Sequence, residues 1–160
     1  MDSNKFFTIY KLKTITKNKK NNFFLHFLRF THLDELPQLI NIIKGEMNFI
    51  GPRAMDKVDY EFCSSNFSEY YKKLLIKRLN SKGGILGLSQ LLGLGFNQKL
   101  NNIELNQKKI FFDCYYIKYQ NFFMNILILI LTPLMLFKLS NNHKAFILKL
   151  IKKNISKKPM

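Results

Sequence analysis

Arginine and acidic residues are both scarce in this chain of 160 residues, which carries 10 aspartates and glutamates against 26 lysines and arginines for a formal charge of +16. Such an excess calls for an anionic partner, and nucleic acid, anionic lipid and nucleotides all qualify, so the charge sets the partner's sign and not its identity. The two cysteines, Cys63 and Cys114, lie far apart with no zinc-like or redox spacing, and they read as reduced structural thiols in a cytoplasmic setting. The scattered histidines His26, His32 and His143 form no cluster either. No secretory leader is expected, because the apolar run Phe6–Tyr10 is short and charges follow it. No apolar run reaches the roughly 20 residues of a bilayer span. The most hydrophobic stretch, residues 122–137, contains Asn125 and Pro133 and reads as interfacial or re-entrant. No Walker G-K-[ST] follows the glycine cluster at residues 83–95, and no helix-turn-helix, zinc or RNP motif accompanies the positive charge, so a nucleic-acid partner is not expected. At this length the chain is one compact domain at most.

What the chain does hold is the run R-F-T-H-L-D-E-L-P-Q-L-I-N-I-I-K-G-E-M-N-F-I-G-P-R from Arg29 to Arg53. Leu36, Leu39, Ile40 and Ile43 recur at helical spacing and predict a helix over about Asp34–Lys44, with Pro37 in its first turn and Gly45 ending it. Asp34 and Glu35 then sit at its positive end, where free N–H groups favour anions. Two adjacent carboxylates also form a hard oxygen site for Mg²⁺, which takes one or two carboxylates together with substrate phosphates. The alternative is an ordinary pair of dipole partners in a first helical turn. Of the three arginines, Arg29, Arg53 and Arg78, the first two flank the acidic pair. A guanidinium fork binds phosphate oxygens in pairs where lysine offers a point charge, so Arg29 and Arg53 are candidate phosphate clamps. Arg78 reads as a structural arginine capping a carbonyl.

This run resembles the signature of the bacterial sugar transferases, the monotopic polyprenyl-phosphate phosphoglycosyl transferases, approximately L-R-x-x-S-L-D-E-L-P-Q-L-x-N-V-L-K-G-D-M-S-x-x-G-P-R-P. Matching residues are Leu28, Arg29, Leu33 to Leu39, Asn41, Lys44 to Met47 and Gly51 to Arg53. Upstream, F-T-I-Y-K-L-K-T from Phe7 resembles F-x-x-Y-K-F-R-T; downstream, K-G-G-I-L-G-L-S-Q from Lys82 resembles K-P-G-I-T-G-L-A-Q, and Asp113 with Tyr116 and Ile117 resembles D-x-x-Y-I. The likeness covers about residues 6–132. It implies transfer of a sugar 1-phosphate from a UDP-sugar to polyprenyl (undecaprenyl) phosphate at the cytoplasmic face of the bacterial inner membrane, the first step of a surface polysaccharide or glycoconjugate. Under it Asp34 is the nucleophile that carries a phosphosugar, Glu35 helps hold Mg²⁺ with Asp34, and Lys11 joins Arg29 and Arg53 on the phosphates. The glycine loop, with Gly84, Gly87 and Gln90, is a ligand contact, and His32 replaces the usual serine as a tolerated neighbour.

Several positions depart from the pattern. Ala54 and Gly83 replace prolines, Leu86 a threonine, and Asn125 an aspartate, and only Met1–Lys5 stands where relatives carry a hydrophobic anchor. The expected fold is α+β: one mostly helical catalytic domain over 1–139, a few short strands and membrane-interface helices, then a basic amphipathic tail over 140–160 lying on an anionic membrane surface. Within it, residues 6–15 read as a strand, 17–22 as a loop, 56–79 as one helix with Tyr60, Phe67, Tyr70, Tyr71, Leu74 and Leu75 inward, and 83–95 as a flexible loop. Two other classes share the charge: a non-catalytic membrane-surface relative, told apart by failure to form UMP, and a basic nucleic-acid binder, told apart by steeply salt-dependent duplex binding.

Overall fold

The computed structural model describes residues 7–14, 23–31, 33–94, 102–136 and 149, without the side chains of residues 29, 30 and 133–136. The loop expected over 17–22, His32, and the tail over 140–160 apart from Lys149 lie outside the described residues. The chain is α+β and mostly helical, as its pattern predicts. Its helices are α1 (Phe23–Phe30), α2 (Gln38–Ile43), α3 (Lys57–Asn66), α4 (Glu69–Leu79), α5 (Leu88–Leu91), α6 (Ile103–Tyr119) and α7 (Phe122–Leu136), with strands β1 (Asn48–Ile50) and β2 (Gly84–Leu86).

The two strands pair in parallel, Asn48 opposite Gly84 and Ile50 opposite Leu86, and α3 and α4 make the crossover between them. Backbones approach closely here. A Cβ on Gly84 would collide with the backbone of Gly51, and one on Gly87 would stand 2.7 Å from the Gly51 carbonyl oxygen. Within the described part of the flexible loop expected over 83–95, the glycines instead serve a packed strand and turn. Gly95 lies outside the described residues.

Helix α6 joins two apolar clusters. On one side Tyr115 and Tyr116 pack with Leu88, Leu91 and Leu92 of the α5 region and with Ile128 of α7. On the other Ile110 and Cys114 meet Cys63, Phe67 and Leu75. Both thiols are free and buried, and burial pushes each up to about 11, as befits structural cysteines.

Three expected elements differ. The helix expected from Asp34 is split: Leu33–Glu35 forms a 3₁₀ turn, the Leu36 N–H reaching the Leu33 carbonyl, and α2 starts only at Gln38 with Pro37 as its N-cap. Proline has no N–H to donate and its ring crowds the preceding turn, so α-helical bonding cannot run through. The predicted stripe also faces outward, with Leu36, Leu39, Ile40 and Ile43 exposed and the polar Gln38 and Asn41 buried. The segment 56–79 is two helices. The hydroxyls of Ser64 and Ser65 and the amide of Asn66 bond back to the Glu61 and Phe62 carbonyls, and Phe67 turns into the core before Ser68 opens α4. Tyr60 and Tyr70 are exposed rather than inward. Residues 7–14 form no strand. They are tied down by side-chain and loop groups, described below.

Candidate active site

The 3₁₀ turn Leu33–Glu35 is the centre of the site. Glu35 is 7% exposed, and its carboxylate accepts two bonds from the Arg53 guanidinium, at 2.5 and 3.3 Å, and one from Lys11 Nζ at 3.1 Å. Burial works against the Glu35 charge, but Arg53 and then Lys11 outweigh it and hold the carboxyl below its ordinary range. Asp34 beside it is left differently. Its Oδ1 is buried and has no hydrogen-bond partner among the described residues, while its backbone carbonyl accepts the Leu12 N–H at 2.9 Å.

Three separate segments deliver these groups. Arg53 follows β1 on a bend stitched to the glycine strand: the Gly51 N–H bonds to Leu86 O, the Gly84 N–H bonds to Pro52 O, and Arg53 bridges Gly84. Behind it, Arg78 of α4 donates to the Arg53 carbonyl and ion-pairs through Nε with Asp113 Oδ2 of α6 at 2.6 Å, both side chains being essentially buried. Arg78 thus caps a carbonyl, as expected, and it also holds the loop that carries Arg53. Asp113 was visible in sequence only as a motif letter, and the residue spacing gave no sign of its partner. Lys11 arrives on the extended segment 7–14.

The structure brings Lys11, Glu35, Asp34 and Arg53 together. Arg29 lies on α1, which packs against the 3₁₀ turn, but its side chain is outside the described part. Gly84 and Gly87 line the close approach to Gly51, and Gln90 is buried with Oε1 lacking a partner among the described residues. Asn41 was not singled out as a functional residue, yet it is fully buried and bonds to Thr8, Tyr10 and Glu46.

For a metal, the described residues contain no group of three or more His, Cys, Asp or Glu placed to hold an ion. The orphaned Asp34 oxygen with neighbouring Glu35 fits Mg²⁺, whose usual ligands are one or two carboxylates plus substrate phosphates.

Known proteins are similar to this chain in sequence. An uncharacterized sugar transferase of Haemophilus influenzae is 38% identical over 106 residues, 66% of this chain and 19% of that protein. The UDP-galactose-lipid carrier transferase of Erwinia amylovora is 33% identical over 107 residues, 67% of this chain and 19% of its own length. The UDP-glucose:undecaprenyl-phosphate glucose-1-phosphate transferase of Klebsiella pneumoniae is 33% identical over 109 residues, covering 66% of this chain and 21% of the relative. The chain thus spans about a fifth of the length of these relatives. The sequence profile of the bacterial sugar transferases matches residues 2–139, taking in the acidic turn, both of its cationic partners and the buried Arg78–Asp113 pair, and the chain belongs to that family.

Proposed function

We propose that this chain transfers a sugar 1-phosphate from a UDP-sugar to undecaprenyl phosphate at the cytoplasmic face of the inner membrane, through a phosphosugar carried on Asp34. The observation that carries this reading is the contrast within one turn: Glu35 is held by two cations, and its neighbour Asp34 keeps a buried oxygen without a hydrogen-bond partner among the described residues. An under-solvated carboxylate oxygen is a stronger nucleophile than a hydrated one.

In the first step an Asp34 oxygen forms a bond to the phosphorus that bears the sugar. The bond from that phosphorus to the bridging oxygen breaks, and UMP leaves with the electron pair. In the second, an oxygen of undecaprenyl phosphate attacks the same phosphorus and Asp34 departs as free carboxylate. Arg53 and Lys11 offer positive charge to the equatorial phosphoryl oxygens. Mg²⁺ held by Asp34 and Glu35 together with the diphosphate would neutralise further charge there.

The lipid acceptor requires a membrane, and exposed apolar side chains support membrane seating. Phe23, Phe24 and Phe27 of α1, Leu39, Ile40 and Ile43 of α2, and Phe122, Phe123, Ile126, Leu129 and Ile130 of α7 all lie open. Among the described residues no helix is long and apolar enough to cross a bilayer.

The testing experiment incubates detergent-solubilised protein with a panel of UDP-sugars, undecaprenyl phosphate and Mg²⁺ and measures UMP. Formation of UMP with one or more donors is expected. No UMP from any donor would overturn the reading in favour of a non-catalytic relative.

A further inference from the structure

The motif N-I-I-K-G-E, Asn41 to Glu46, follows the acidic turn and supplies none of the groups placed on the phosphates above. Its geometry gives it a task. Asn41 is fully buried, and its side-chain amide meets residues more than thirty positions earlier: Nδ2 donates to Thr8 O at 2.7 Å and Oδ1 accepts the Tyr10 N–H at 3.2 Å. Those are the two bonds that a neighbouring β-strand would make to one edge of residues 8–10. The edge continues at Leu12, whose N–H donates to the Asp34 carbonyl.

The rest of the motif holds Asn41 and grips the same segment. Gly45 takes a φ of +73°, which a side chain would resist, and the turn it makes brings Glu46 back so that Oε2 accepts the second Nδ2 hydrogen of Asn41 at 2.6 Å. Lys44, one helical turn after Asn41, donates to the Tyr10 hydroxyl at 2.9 Å and lies 4.8 Å from that ring's centroid. Lys11 stands between the two anchored amides, and its Nζ reaches Glu35 at 3.1 Å.

We propose that Asn41, locked by Glu46 and assisted by Lys44, is the positioning residue for Lys11: its amide stands in for a β-strand, docks residues 8–12 and sets the lysine against the acidic turn. The inference rests on the proposed transferase reading for what Lys11 does there, but not for the docking itself. It explains why α2 turns its polar side inward and its apolar side out, against the usual rule for a surface helix.

Hydrogen exchange on the full chain in detergent tests the docking, with Asn41→Asp and Lys44→Ala as variants. Asn41→Asp keeps the acceptor for Tyr10 but cannot donate to Thr8 and sets a second negative charge beside Glu46. The Tyr10 and Leu12 amides are expected to exchange about tenfold faster in Asn41→Asp and about threefold faster in Lys44→Ala, while amides of α4 and α6 keep their rates. If Asn41→Asp loses protection in α4 and α6 as well, it has unfolded, and the exposed Lys44→Ala site decides. Wild-type exchange at both amides in a folded variant overturns the proposal.

A second arm separates positioning from mere stability. Lys11→Ala is expected to slow UMP formation strongly in the wild-type background and hardly at all in Asn41→Asp; equal slowing in both overturns the positioning role. Wild-type protein that forms no UMP contradicts the transferase reading, and the exchange arm still decides the docking.

Discussion

Asp34 and Glu35 are neighbours with different surroundings, and the roles proposed for them follow that difference. Glu35 is neutralised by Arg53 and Lys11, whereas Asp34 presents an oxygen that no described group occupies. Asp34→Asn should therefore abolish UMP formation with the circular dichroism spectrum unchanged, because the amide keeps the shape and loses the nucleophile. Glu35→Gln should retain some transfer while needing more Mg²⁺ for half-maximal rate; an unmoved Mg²⁺ titration would remove Glu35 from the metal. Arg78→Leu removes the ion-pair partner of the fully buried Asp113, at a cost of about 3 kcal/mol, which thermal unfolding would register. The cysteines carry a pH prediction. Their folded values lie above the ordinary thiol value of 9.0, so the neutral thiols favour the fold below that pH and the benefit is lost as pH rises through about 11. At pH 8 iodoacetamide should leave Cys63 and Cys114 of the native protein unmodified and alkylate both in denaturant.

At the level of elements, the site depends on two backbones meeting without side chains between them. Gly87→Ala puts a carbon 2.7 Å from the Gly51 carbonyl, so the Arg53 bend must shift, with an expected loss of about 1–3 kcal/mol in stability and a fall in UMP formation. Chemical denaturation and the donor assay check the two effects separately. The acidic pair, the nearness of Arg53 to it and Gly45 as a helix end were legible as residue types at meaningful positions, whereas Lys11 was visible only through the resemblance, and both cations are bonded to Glu35. The direction of α2 was not. Periodicity reports which residues share a face, but the inward side was decided by Asn41, whose partners lie more than thirty residues away. The same limit hid the absence of a strand at residues 7–14, since alternation cannot tell a neighbouring backbone from an amide that imitates one. The break at Phe67 was obscured because serines and an asparagine end α3 through their own backbone bonds, without a glycine or proline to mark it.

The molecule joins a polar site to exposed apolar surface, the combination that the proposed transfer between a water-soluble donor and a lipid acceptor would need. Its excess positive charge suits both the nucleotide diphosphate and an anionic leaflet. The central claim is the covalent route through Asp34, and peptide mass analysis tests it most directly. The full chain is incubated with the UDP-sugar identified in the donor assay and Mg²⁺, without lipid acceptor, and then digested. A phosphosugar adduct on the peptide containing Asp34, discharged by undecaprenyl phosphate and missing from Asp34→Asn, is the predicted result. UMP formation that persists in Asp34→Asn, or transfer by a wild-type protein that never carries the adduct, would contradict it.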